Sequence, residues 1–498
     1  MSGAIEDAYD VVVIGGGING AGVARDAAGR GLKVLLVERG DLGGATSSAS
    51  TKLIHGGLRY LEHFELRLVR EALAERAELL AQAPHIAWPL RFVLPAGPIG
   101  RPAWLIRLGL FLYDRLGAAR LRPAKLLNLA EHAAGAALDD GYRTALAFSD
   151  GWVDDARLVT LTAVDARDRG GHIRTRTGFV AARRHAERWS LDFATPDGRR
   201  LATTARAVVN AAGPWVAPVL ETLTGGQAHA RVRLIKGSHL VARRQMPGGH
   251  ALILPVADGR VVFAIPYEHD FTLIGTTESE ITGEPGDAEV EPAEIEYLLQ
   301  AVNRYLKHPL GADDVVWRFT GVRPLQDDGR RDPSAVSRDY VLKEDHRAAP
   351  LISIIGGKIT TYRALAERVV DRLAASFPRL PGPWTRGTTL PGGDLGGMAF
   401  GQFAQKLAAD YDHVDGVLVH RLARRHGSRT YDVLASGTRL GRDFGGGMMA
   451  REVQWLIEQE WARTAEDILW RRTKTGLHGA DAAALRAWLG ANGPSLGL

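Results

Sequence analysis

Four apolar residues, Val11 to Ile14, run without a polar break, and the chain then passes directly into Gly15-Gly16-Gly17-Ile18-Asn19-Gly20. A short, wholly apolar run bounded by turn residues predicts a strand buried on both faces. The glycines lead into a helix predicted over 18–31, and a second apolar run, Val34 to Val37, closes on Glu38. Helical periodicity returns over 66–83 and 155–169, and an apolar run at 207–210 reads as a further strand. Between 231 and 280 come β-rich runs, 231–242, 251–256, 261–266 and 272–275, with turn residues between them, which predicts an antiparallel sheet. An amphipathic helix is predicted over 292–306. Leu351 to Ile355 is another apolar strand that ends in Gly356-Gly357 and opens a helix over 360–375. Residues 84–150 read as irregular and Pro-punctuated.

The elements divide into one discontinuous α/β domain (1–83, 151–230 and 320–376), a sheet-containing domain (84–150 with 231–319), a Pro/Gly-rich linker (377–398) and a helical C-terminal domain (399–498). The first βαβ unit carries chemistry. Gly15 permits the tight turn, Gly17 lets backbone approach a pyrophosphate, and Gly20 lets helix and strand pack closely. The helix N-terminus offers N–H groups and partial positive charge to the phosphates. Glu38 is placed for a ribose hydroxyl. The motif specifies a dinucleotide without choosing between FAD and NAD.

Composition narrows the picture. There are no cysteines, which excludes disulfides, Cys-ligated iron–sulfur clusters and a thioether link to a cofactor; no metal ligand set is assigned. The net charge of +5 is too modest to indicate a nucleic-acid partner. The N-terminus carries Glu6 and Asp7 and enters a strand at once, so no secretory signal is expected, and no apolar run reaches membrane-spanning length. The charge is uneven, however. Residues 101–126 hold Arg101, Arg107, Arg115, Arg120, Arg122 and Lys125 among Trp104, Leu105, Ile106, Leu108, Leu110, Phe111, Leu112 and Tyr113. This reads as a basic amphipathic helix over 102–116. It fits either a surface helix with its apolar stripe in the core or a helix lying in a membrane interface. The run Ile468 to Lys474 gives a weaker version of the same signal.

Four more segments offer binding chemistry: the hydroxyl-rich run from Ala45 through His55 to Tyr60, Val208 to Trp215, Arg231 to His239, and Gly321-Val322-Arg323-Pro324 with Arg338 and Gly356 to Tyr362 downstream. The last places a second helix N-terminus beside Lys358, where negative charge on a reduced flavin ring could be stabilised.

Taken together these motifs resemble the FAD-dependent, respiratory glycerol-3-phosphate dehydrogenases. The resemblance rests on the glycine turn, Thr46 to Glu62, Trp152 to Leu158, Arg233 to His239, Phe319 to Pro324 and Gly356 to Tyr362, and it reaches from residue 9 to residue 475. It implies an α/β (α+β overall) architecture: a Rossmann-like FAD-binding domain of the amino-acid-oxidase-like type, an antiparallel-sheet substrate domain and a helical C-terminal cap domain. It implies oxidation of sn-glycerol 3-phosphate to dihydroxyacetone phosphate by hydride transfer from C2 to flavin N5, with electrons passed to a membrane quinone. It favours noncovalent FAD, a homodimer, and peripheral attachment of the basic segment to the anionic inner face of the cell membrane. Amino-acid-type oxidases using oxygen, and a flavin-bearing protein that only binds partners, are the alternatives.

The resemblance assigns Arg59, Tyr60 and Arg338 to the substrate, and Arg323 and Lys358 to the flavin and reacting oxygens. A base is expected at His239, with His55 second, because an imidazole titrates near the operating pH. FAD is expected on Gly15, Gly17, Gly20 and Glu38, with Ser47, Ser48 and Lys52 on the flavin side, Val180 at adenine, and Gly213, Gly357, Lys358, Ile359 and Thr360 around the ring.

Overall fold

The apolar runs become the centre of a parallel sheet. Ala8–Ile14 pairs in parallel with Val34–Val37 on one side and Arg200–Asn210 on the other. Leu351–Ile355 and His172–Arg174 extend the parallel order outward. Val341–Asp345 closes one edge antiparallel, and the hairpin Gly178–Arg184/Trp189–Ala194 joins the first half of Arg200–Asn210. The computed structural model that shows this describes residues 5–57, 65–97, 103–117, 121–244, 246–327, 329, 339–435 and 440–496. Both faces of the sheet are covered, which explains runs with no polar alternation. Helices Ile18–Gly29, Asp155–Asp168 and Tyr362–Arg372 share one core with Val11 and Val13, while Trp189, Phe193, Leu220 and Leu223 cover Val12 and Ile14 on the other face. The chain leaves Ala8–Ile14 between neighbours on opposite sides, so a crevice forms at the carboxyl ends of these strands.

The second sheet is built on Val232–Ala242. It pairs with Phe271–Gly275 and Ser279–Ile281, and along its whole length with Val315–Gln326. Strands Ala251–Pro255, Ala87–Pro95, Thr144–Val153 and the short Leu53–Ile54 continue it. Two expectations are corrected here. Residues 84–150 are not irregular: Ala87–Pro95 pairs with Thr144–Val153 in register over nine positions, and Lys125–Asn128 joins them. Pro89 and Pro95 break the apolar rhythm without breaking the strand. The boundary expected at residue 320 also falls inside a strand, because the pairing with Val232–Ala242 runs through to Gln326.

Helices Phe400–Asp410, Gly416–His426 and Ala450–Glu460, the turn Asp467–Arg472 and helix Ala482–Leu496 form the C-terminal unit. It is joined to the parallel-sheet domain by buried ions as well as apolar contact. Arg157 forks onto both oxygens of Glu460 and donates to the carbonyl of Arg425 at 2.8 Å. Arg472, wholly buried, donates to both oxygens of Asp41 at 2.8 Å each. The weaker membrane signal at 468–474 is therefore corrected: Ile468, Leu469, Arg472 and Lys474 are buried, and Trp470 packs on Trp317 with ring centroids 4.9 Å apart.

Candidate functional site

A cavity of about 1840 Å³ opens at the carboxyl ends of the parallel strands and extends across one face of the second sheet. Its first wall is the glycine turn. Gly15 sits at φ +114°, and a Cβ there would stand 2.4 Å from the carbonyl oxygen of Ala211. Gly17 faces the cavity, with Ser47 Oγ accepting the N–H of Ile18 at 3.0 Å. Gly20 lies behind the wall, where a Cβ would meet the Gly15 carbonyl oxygen at 1.9 Å. Glu38 accepts the N–H groups of Gly16 and Gly40, each at 2.7 Å. Burial pushes its carboxyl up, against the pull of those two hydrogen bonds.

The second glycine turn faces the first. Gly356 and Gly357 have φ +78° and +108°, and Asn19 from the first helix donates to the Gly356 carbonyl at 3.1 Å. Gly357, Lys358, Ile359 and Thr360 all line the cavity, as do Val180 and Gly213. Two helix starts and two glycine turns thus converge on one elongated space. This arrangement fits an extended dinucleotide, with the pyrophosphate at one helix start and the ring system toward the other.

Arg323 reaches the cavity from Val315–Gln326. Its guanidinium lies over Gly237, where a Cβ would be 3.2 Å from Nη2, and Nη1 stands 3.7 Å from Glu278. His55 is an exposed wall residue whose N–H is held by the Thr360 hydroxyl at 3.3 Å. Arg59, Tyr60 and Arg338 lie outside the described residues.

Besides Gly20, three expected residues are not cavity walls. His239 is 1% exposed, stacked on Phe319 with ring centroids 5.0 Å apart and pressed against Gly275. Its Nε2 meets the Thr51 hydroxyl at 3.0 Å, and Thr51 is the residue that reaches the cavity. Burial, with Arg323 and Lys52 nearby, holds the imidazole well below its ordinary pKa, so it is neutral at pH 7. Lys52 turns inward at φ +60° and ion-pairs with Asp155 at 2.6 Å, both wholly buried. Ser48 bonds back to the Ala45 carbonyl at 3.4 Å. The loop folds over its own lysine because Asp155, from the Trp152–Leu158 motif, also accepts the N–H and hydroxyl of Ser50.

Other wall residues escaped the sequence reading. Arg39 stacks on Trp215 at 3.9 Å, and Gly286 closes against that pair. Arg471 comes from the C-terminal unit and is tied to Asp41 at 2.6 Å. Asp150 and Glu278 bring carboxylates to the same walls. Trp215 sat in the segment Val208 to Trp215 and could have been singled out; Arg471 lay in the run Ile468 to Lys474, which suggested a membrane surface instead, and Glu278 carries no local signal.

The fold and the paired glycine turns define a flavoprotein oxidoreductase, and comparison with known proteins agrees. Residues 10–363 match the model of the FAD dependent oxidoreductase family, and residues 384–487 match the C-terminal domain of alpha-glycerophosphate oxidase. The D-erythritol 1-phosphate dehydrogenase of Brucella abortus is 50% identical, over 96% of this chain and 97% of its own. A glycerol-3-phosphate dehydrogenase of Pseudomonas aeruginosa is 49% identical, over 96% of this chain and 93% of its own. The crystal structure of the Bacillus halodurans glycerol-3-phosphate dehydrogenase complexed with FAD superimposes with a TM-score of 0.75 at 27% identity, covering 99% of this chain and 90% of that one. The chain belongs to the FAD-dependent glycerol-3-phosphate dehydrogenase family, and its cofactor is FAD.

Proposed function

We propose that the chain oxidises sn-glycerol 3-phosphate to dihydroxyacetone phosphate and passes the electrons to a membrane quinone. The observation that supports this most is the presence of two cations, Arg323 and Lys358, on the same cavity as the exposed imidazole of His55. A phosphate dianion calls for such cations, and a secondary alcohol calls for a base. When bound, FAD supplies the acceptor for the C2 hydride at N5. Gly15 and Gly17 hold its pyrophosphate, Glu38 its ribose, Val180 its adenine, and Ser47, Gly213 and Gly357 to Thr360 its ring. Arg323 and Lys358 orient the substrate's phosphate and reacting oxygen.

His55 takes the C2 hydroxyl proton directly, and His239 acts behind Thr51. His55→Asn is expected to slow flavin reduction by about 10²–10⁴-fold, and His239→Asn by less, with substrate binding little changed in either. Single-turnover anaerobic mixing measures both. A larger loss in His239→Asn than in His55→Asn would return the base to His239.

A second reading has its own support in the 50% identical relative named for D-erythritol 1-phosphate. The test is kcat/KM for each phosphate with an artificial electron acceptor. The first reading expects sn-glycerol 3-phosphate to be favoured by about tenfold or more, within the range a small change in substrate size produces. The reverse ratio would transfer the assignment to the longer polyol.

Quinone reduction requires contact with lipid. No helix among the described residues is long and apolar enough to cross a membrane. On helix Ala103–Leu116, however, Trp104 is 68% exposed and Phe111 52%, with Leu105, Leu108 and Leu112 also exposed. Arg107, Arg115, Arg122 and Lys125 stand exposed around them. Apolar anchors ringed by cations fit an anionic lipid surface. Changing Arg107, Arg115 and Arg122 to Glu is expected to abolish flotation with phosphatidylglycerol vesicles; flotation at the wild-type level would remove this docking site.

A further inference from the structure

Helix Ala103–Leu116 is more than an exposed surface. Ile106, two positions after Trp104, lines the cavity, and Tyr113, one position after the exposed Leu112, is 1% exposed. The Tyr113 hydroxyl accepts the N–H of Gly56 at 2.7 Å and donates to Asp150 Oδ2 at 2.6 Å. Asp150 Oδ1 in turn accepts from Arg76 at 2.6 Å. Gly56 lies between His55 and Gly57, both cavity walls, and Asp150 is a wall residue as well. We infer that Tyr113 is a positioning residue that transmits docking of this helix on an anionic lipid surface to the His55–Gly57 segment of the cavity.

The packing leaves little slack for any other behaviour. A Cβ on Gly56 would stand 2.5 Å from Leu73 and 2.8 Å from the Tyr113 hydroxyl. Tyr113 itself packs against Val69 and Leu73. Close-packed interiors transmit displacement rather than absorb it. A tilt of the helix as Trp104, Leu108 and Phe111 enter lipid would carry the hydroxyl with it, and through it the Gly56 amide and Asp150. A hydrogen bond in which one partner is a carboxylate is short and directional, which suits it to this transmission. By linkage, whatever docking does to substrate affinity, substrate does to lipid affinity by the same factor.

This inference rests on the lipid docking proposed above, and the experiment separates the two. Wild-type holoenzyme and Tyr113→Phe are floated with phosphatidylglycerol vesicles, and substrate affinity is read from anaerobic flavin bleaching with and without those vesicles. The expected result is that both proteins float equally, that vesicles shift the wild-type half-saturating substrate concentration by about threefold, and that the shift disappears in Tyr113→Phe. An equal shift in both proteins overturns the role of Tyr113. Wild-type flotation with no shift makes the helix an anchor only and overturns the coupling. Wild type that does not float defeats the docking itself, and this inference with it. If Tyr113→Phe fails to retain FAD, hydrogen exchange of the wild type decides: vesicles are expected to alter exchange at residues 53–57, and unchanged exchange there overturns the proposal.

Discussion

Gly20→Ala is expected to give a protein that loses its FAD. A Cβ at this position would stand 1.9 Å from the carbonyl oxygen of Gly15 and 3.4 Å from the Cβ of Ala211. The first neighbour is backbone, so no side-chain rotation relieves the clash, and the glycine turn must shift away from the helix start proposed to receive the pyrophosphate. Overpacking of this kind costs about 1–3 kcal/mol or more, and if borne by the bound state it weakens FAD by about 100-fold. The flavin-to-protein ratio after gel filtration measures this. Gly416→Ala is the control, since a Cβ there meets nothing within 4 Å at the start of a helix. A yellow Gly20→Ala protein with wild-type FAD content would show that the turn does not carry the cofactor.

The second large effect is on stability. Glu460 is 1% exposed and holds Arg157, with Arg472 Nε at 3.9 Å and His426 Nδ1 at 3.8 Å. Glu460→Gln leaves the buried Arg157 without its counter-charge, while Arg472 keeps Asp41, and the loss costs about 3–5 kcal/mol. Although burial alone would raise it, Arg157 and its neighbours hold the Glu460 carboxyl down to about 2. A depressed carboxyl contributes stability that is present above its unfolded pKa and lost as pH falls towards the folded one. The wild type is therefore expected to lose about 3 kcal/mol from this group between pH 4.5 and pH 2. The Gln variant should start lower and lack that part of the acid slope. Denaturant unfolding at pH 7 and at pH 3.5 measures both. Equal stability of the two proteins at pH 7 would remove Glu460 as the tie between the units.

The parallel sheet was legible because unbroken apolar runs such as Val34–Val37 arise when helices cover both faces, and because glycines followed those runs at Ile14 and Ile355. The other sheet was half legible. Its strands at 231–275 showed turn residues between β-rich runs, but Thr144–Val153 contains Ser149, Asp150 and Gly151 in its interior, and Ala87–Pro95 contains two prolines. Asp150 is tolerated there only because Arg76 and Tyr113 satisfy it, and a partner 74 residues away leaves no local trace. Depth was the other hidden quantity. The motif around His239 marked it as important, yet a sequence does not tell whether an imidazole forms the wall or stands behind it. The same limit applies to Lys52 and Arg472, whose burial depends on Asp155 and Asp41 arriving from distant segments. Exposed apolar residues on a helix that also carries buried ones, as at Trp104 and Tyr113, become distinguishable only once the second sheet is in place.

The measurement that tests the central claim most directly is the absorbance of the purified holoenzyme in the flavin bands under anaerobic conditions, before and after addition of sn-glycerol 3-phosphate. The expected result is rapid bleaching by this phosphate and none by glycerol or by amino acids, as follows if the cavity cations Arg323 and Lys358 hold the phosphate as proposed. A yellow protein that retains its colour with sn-glycerol 3-phosphate, or that bleaches equally with glycerol, would contradict the account.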